Sequence, residues 1–177
     1  MTDPTKLQIL KAVVDELKAI TPANGYVSNL ADFDPGDGVS TSRVCRGRAF
    51  FGEGDPIPML SVLEATSGED VMNEMVAEKP VTEYWWPLII QGWVTDDKDN
   101  PTDPVYPLLR DVRKCFAQQM KRTPGSHDRQ IFGFNSNYIT GIRFGGGLVR
   151  PANELSAYAG FHLMLELCIV DNADEDY

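Results

Sequence analysis

Positive charge and histidine are scarce in this chain. Sixteen lysines and arginines stand against 26 aspartates and glutamates, with two histidines, giving a formal net charge of −10 over 177 residues. Sequence-independent DNA binding draws its affinity from Lys and Arg neutralising phosphates, so this balance argues against nucleic acid as a ligand. Cysteine is sparse as well. Cys45, Cys115 and Cys168 are odd in number, far apart and outside any CxxC pair, which reads as three reduced, apolar side chains rather than a disulfide framework or a metal site. Long hydrophobic runs are missing: no stretch approaches the roughly 18–20 apolar residues that span a bilayer. Met1, Thr2, Asp3 and Pro4 do not open an export signal, and the expectation is a protein that stays in the cytoplasm where it is made, with no membrane partner. There is no internal repeat and no low-complexity block.

The residues for catalysis are also few. A nucleophile needs a positioned base, yet His127 falls in a polar loop and His162 on an alternating strand. Neither stands in a recognisable nucleophile setting. Gly145, Gly146 and Gly147 suggest a phosphate loop until the following residues are read. Arg150 and Pro151 come next, leading into a strand instead of the helix whose N-terminus would bind the anion. Asp32, Asp34 and Asp37 have the early spacing of a calcium loop but lack its bidentate glutamate at the twelfth position. The expectation is therefore no catalytic residue, no cofactor and no metal: a protein that is not an enzyme.

What is present is an ordinary globular composition, 42% hydrophobic, 24% charged and 10% aromatic, in a length that suits one domain with a real core. Leu7, Leu10, Val13, Val14, Leu17 and Ile20 recur at spacings of three and four, which predicts a helix over residues 4–20 with Asp3 as N-cap and Pro4 in its first position. Residues 26–42 suggest a short strand running into an exposed loop. Residues 43–51 and 59–66 suggest strands joined by a hairpin loop containing Gly52, Gly54, Asp55, Pro56 and Pro58.

Residues 81–95, with Tyr84, Trp85, Trp86, Leu88, Ile89, Ile90 and Trp93, predict the central strand. A charged turn at residues 96–100 leads to a second helix, capped by Thr102 or Asp103, with Leu108, Leu109, Val112, Cys115, Phe116 and Met120 as its apolar stripe and Pro124 and Gly125 as its stop. Residues 138–144 and 157–170 predict two strands joined through Gly145, Gly146, Gly147, Pro151 and Asn153. In the last strand Phe161, Leu163, Leu165, Leu167 and Ile169 point to one face, and His162, Met164, Glu166, Cys168 and Val170 to the other. The order predicts an α+β fold, a mostly antiparallel sheet covered on one face by two helices. It is a single domain over residues 1–177, with long loops at about 67–80 and 123–137 and an acidic C-terminal tail at 171–177.

Trp85 and Trp86 are adjacent on a strand and so point to opposite faces; both are buried only if both faces are covered, and a subunit interface would supply the second cover. The series Arg43, Arg46 and Arg48 reads as a solvated strand edge or as half of a charge pairing with an acidic neighbour. Together with Trp93, these residues are the candidate subunit or tube interface.

The segments AITPANGY, RVCRGRAFFGEGDPIPMLSVLEA, EYWWPLIIQGW, ITGIRFGGGLVRP and FHLMLELCIV, separated by a second helix, resemble in order and tone the tail terminator or tail completion family of long-tailed bacteriophages, the lambda minor tail protein U-like proteins. The resemblance spans nearly the whole chain, which is longer than the smaller members. It implies a virion structural protein of the tail and neck, assembled in the host cytoplasm into a hexameric ring. That ring would cap the tail tube, stop tube polymerisation and join the tail to the head. Its partners would be copies of itself, the tail tube protein and a head completion or connector protein, with DNA passing through the lumen without specific binding. Two other readings stand beside it: another neck or tail component, such as a head completion or tube protein, and a small carboxylate-dependent hydrolase. Convergent carboxylates with shifted pKa values in a deep pocket would mark the hydrolase.

Overall fold

The structure is a computed structural model that describes residues 3–36, 38–52, 54–65, 81–121, 130–152 and 158–172. It is an α+β fold with a mixed six-stranded sheet. Helix α1 (Thr5–Lys18) and a single 3-10 turn (Pro22–Asn24) are followed by β1 (Val44–Arg46), β2 (Met59–Glu64) and β3 (Val81–Thr95). Helix α2 (Val105–Gln119) then leads to β4 (Ile139–Phe144), β5 (Leu148–Arg150) and β6 (Tyr158–Asn172). The sheet order is β1-β2-β3-β6-β4, with β5 also paired to β6. The predicted loop at 67–80, His127, Asp37 and residues 173–177 of the predicted tail lie outside the described residues.

Periodicity explains the sheet. The β6 series Phe161, Leu163, Leu165, Leu167 and Ile169 is buried throughout, together with Trp86, Leu88 and Ile90 of β3 and Leu60 and Val62 of β2. Onto this face pack Ile9, Val13 and Leu17 of α1 and Leu108, Val112 and Phe116 of α2. The 15-residue β3 pairs antiparallel with β6 along its whole length, from Val81↔Asn172 to Thr95↔Tyr158. Strand β2 pairs only with its later part, Leu88 to Trp93. Pro87, which has no N–H to give a ladder, sits where that pairing ends, the position a strand proline tolerates.

Several local expectations are corrected. In α1, Ile9 is buried while Leu7 and Leu10 are half-buried. Pro4 stands at the N-cap with no side-chain cap, and the Asp3 carboxylate instead meets Lys11. The described residues of 26–42 hold no strand, and Phe33 and Thr41 are joined by an isolated antiparallel bridge. The strand predicted over residues 43–51 shrinks to three residues, and the expected hairpin is absent because β1 runs parallel to β2, with Val44 opposite Leu60. Gly47 at φ 67° turns the chain out of the ladder, and the segment up to Pro58 crosses over the sheet instead of reversing.

Helix α2 has no side-chain cap. The backbone carbonyls of Thr102 and Asp103 accept the Val105 and Tyr106 N–H groups at 3.0 and 3.2 Å. Met120, expected in its stripe, is 45% exposed, and Val105 and Asp111 are buried instead. Within the predicted loop 123–137, Ile131 and Phe132 are buried, and Phe132 N–H donates to Gln119 Oε1 at 2.9 Å. The three glycines do not form a hairpin turn. Strands β4 and β5 lie end to end along one edge of β6, with Phe144 opposite Leu165 and Leu148 opposite His162, and the glycines interrupt that edge. Gly147, at φ 86°, adopts a left-handed backbone that side chains rarely take, and a Cβ there would also have to displace the end of Leu109 on α2, 2.8 Å away.

Candidate functional site

The second face of the sheet is divided. One end is covered by residues 47–58: Phe51 stands edge-on to Trp93 and to Tyr158 with ring centroids 4.9 Å apart in each pair, and Ser61 Oγ accepts the Arg48 N–H at 3.2 Å. Met59 and Ser61 are fully buried beneath this cover. The other end carries no described cover.

Strand register lays out the open end in rows. Trp85 stands across from Cys168, which in turn faces Gly141. Pro87, Glu166 and Arg143 form the next row, then Ile89 with Met164, then Gln91, His162 and Leu148. Trp85 is 39% exposed, Met164 43% and Leu148 57%. Arg143 lies over the Trp85 ring with its guanidinium carbon 4.1 Å from the centroid, and its Nε and Nη2 donate to the Glu166 carboxylate at 2.5 and 3.0 Å. The indole is thus held flat by a planar cation that is itself fixed by a fork-shaped ion pair. Gly141 permits this, since a Cβ there would meet the Trp85 ring at 3.0 Å.

At the middle of the face His162 Nε2 and Gln91 Nε2 are 2.7 Å apart. Burial, and then the charge of Arg150, hold the imidazole below its ordinary pKa. Its partner is an amide, which does not tune a general base as a carboxylate would. Gln91 Oε1 is buried with no partner among the described residues. At the far end the Glu83 carboxylate accepts from Thr140 Oγ1 at 2.5 Å and from Cys168 Sγ at 3.4 Å, which holds its pKa below the ordinary value. Among the described residues, no group of three or more His, Cys, Asp and Glu gathers to hold a metal ion.

The six residues singled out from the sequence do not form one patch. Trp86 is 4% exposed and sits in the core beneath the helices, and Trp93 lies under Phe51; only Trp85 faces the open surface. Arg43 donates to the Pro58 carbonyl at 3.1 Å and lies over Phe33, where burial pulls its pKa down. Arg48 pairs with Asp55 at 2.6 Å, while Arg46 is exposed. The arginine series is thus largely engaged within its own chain. Sequence reasoning missed Arg143, Glu166 and Leu148, whose partnership depends on the registers of β4 and β5 against β6.

A second surface feature lies along α2. An open groove of about 610 Å³ runs between the outer side of that helix and the β4 edge. Leu109, Ala117 and Phe144 form its floor, and Tyr106, Arg110, Arg113 and Lys114 its rim. It presents cations and no carboxylate. Among the described residues, no helix is long and apolar enough to cross a membrane. No protein-family model matches the chain, and a search of curated proteins finds no match either.

Proposed function

We propose that this chain is a structural phage tail protein that forms a ring on the end of the tail tube, stops tube polymerisation and offers the surface on which the head docks. The observation that carries the reading is the half of the sheet's second face that no described residue covers, where Trp85, Met164 and Leu148 are exposed. Exposed large apolar side chains gathered on one face are the usual mark of a macromolecular contact. An indole pinned by Arg143 and Glu166 loses little further freedom on docking and suits an interface centre.

In this role the residues do no chemistry. The protein acts by covering surface on its own copies, on the tube protein and on a head completion or connector protein. A formal charge of −10 offers DNA little of the attraction that counterion release provides, so DNA would pass through the lumen without specific binding. The ring size taken from the family resemblance is six.

The test is to add the purified protein to tail tubes assembled from the tube protein of the same phage and to score the tube ends by negative-stain imaging. Wild type should cap the ends and limit tube length. Trp85→Asp places a charge at the centre of the open face and should weaken capping about a hundredfold while the circular dichroism stays unchanged. Bare ends and unlimited growth with wild type would overturn the reading.

A further inference from the structure

The sheet order places β1 at one edge and β4 at the other, and the two edges are not equivalent. At β1 the Leu60 N–H donates to the Arg43 carbonyl at 2.7 Å and the Gly47 N–H to the Val62 carbonyl at 2.9 Å. Arg43, Cys45 and Gly47 therefore face β2, and Val44 turns its backbone outward. Ser42 occupies that outward pair: its Oγ donates to the Val44 carbonyl at 2.9 Å and accepts the Val44 N–H at 3.4 Å. A three-residue edge strand held in this way offers little to a further strand.

The β4 edge is longer and differs in kind. The Gly145 N–H donates to the Met164 carbonyl at 3.0 Å, and the register pairs Phe144 with Leu165 and Ile142 with Leu167. Alternation along the ladder then points the backbone groups of Arg143 and Gly145 toward β6 and those of Ile142 and Phe144 away from it. No described residue takes up the outward N–H or C=O of Ile142 or Phe144. The groove along α2 runs beside this edge, with Leu109, Ala117 and Phe144 in its floor and Arg110, Arg113 and Lys114 on its rim. Arg110 lies 3.5 Å from Asp111, and Lys114 donates to the Gly25 carbonyl at 2.8 Å. Arg113 is exposed and forms no ion pair with a described residue.

An unpaired strand edge beside an apolar groove is the geometry of strand addition, in which main-chain bonds give affinity and pockets for alternate side chains give selectivity. We propose that β4 takes up an extended segment of a partner protein as an added antiparallel strand. The residues of that segment bonded to Ile142 and Phe144 send their side chains to the α2 side of the sheet, where Ile142 and Phe144 themselves pack into the core. They are apolar where they meet Leu109, Ala117 and Phe144, and carry a carboxylate where they meet Arg113. A second copy of this chain fits poorly. Its β1 edge is held by Ser42, and pairing β4 with β4 would set two cationic α2 rims face to face. The site is separate from the Trp85 face and does not rest on the ring reading.

The probe is a short end-blocked peptide in which every second residue is threonine and the others are valine or glutamate. It is titrated onto the full chain and read by fluorescence polarisation and by amide NMR. Binding should saturate, and the Ile142 and Phe144 amides should shift and exchange with solvent about tenfold more slowly. N-methylating the valine and glutamate amides should weaken the peptide about tenfold or more, because those N–H groups meet β4, whereas methylating the threonine amides should not. Arg113→Glu should weaken binding about tenfold, and a peptide with lysine in place of glutamate should recover it on that variant. Arg113 is exposed, and unchanged thermal unfolding serves as the folding control. No binding by wild type, binding indifferent to which amides are methylated, or protection of Ile142 and Phe144 by self-association without peptide would each overturn the site. A chain that caps tail tubes while binding no peptide would overturn it and leave the ring reading standing.

Discussion

Replacing Asp111 with alanine should cost about 3 kcal/mol of unfolding free energy, a large part of the roughly 5–15 kcal/mol that holds a domain of this kind together. Asp111 is 1% exposed on a helix whose other buried residues are apolar. Its Oδ2 accepts the N–H groups of Val27 and Ser28 at 2.9 and 2.7 Å, and its Oδ1 faces Arg110 at 3.5 Å. Those two donors belong to the irregular segment leaving the 3-10 turn, where no neighbouring strand can take them. Alanine would take the charged acceptor from both N–H groups, although Val27 itself is exposed and Ser28 half-buried. The conservative change Asp111→Asn keeps one oxygen and should recover about half of the loss. Equilibrium chemical unfolding at constant m-value measures this, and a loss below about 1 kcal/mol would mean that the segment finds other acceptors.

Gly92→Ala should be at least as damaging. Gly92 lies in β3 directly across from Phe161, which is 2% exposed. A Cβ at this position would come within 2.2 Å of Phe161 Cε1 and 2.6 Å of Cζ. The ring fills the space that the missing side chain leaves, and it is enclosed by the core, so it has nowhere to retreat. Overpacking of this kind typically costs about 1–3 kcal/mol, and the closeness of this clash places Gly92→Ala at or above the top of that range. Shrinking the ring should undo part of the damage: the pair Gly92→Ala with Phe161→Leu should be more stable than the sum of the single losses implies, by about 1–2 kcal/mol. Strict additivity in a double-mutant cycle would contradict the contact.

These two positions also show where a sequence is legible and where it is not. The long strands and both helices were readable because their signals are local: the β6 alternation sorts Phe161 through Ile169 to one face by parity alone, and the helical spacing of Val13, Val14 and Leu17 needs no partner. That Trp85 and Trp86 must face opposite ways followed from the same parity. Asp111 carried a signal that went unread. It lies three residues after Leu108 and four before Cys115, inside the apolar stripe of α2, and a carboxylate there needs buried donors.

The direction of β1 against β2 was not readable, because a hairpin and a crossover present the same glycines and prolines between two apolar runs. The glycines at 145–147 were misplaced for a related reason. Flexibility marks a break in a strand as readily as a turn, and only pairing with β6 decides which. The candidate site suffered most. The partners of Arg48 and Arg143 are Asp55 and Glu166, seven and 23 residues away, and no spacing rule links the second pair.

The account turns on apolar side chains around Trp85 on the sheet face that no described residue covers. Size-exclusion chromatography coupled to light scattering, across a micromolar concentration series, tests it most directly. A particle several times the 19.7 kDa chain mass, six times if the ring matches the resemblance, is the predicted result. A particle of one chain mass at every concentration, with or without tail tubes present, would contradict it.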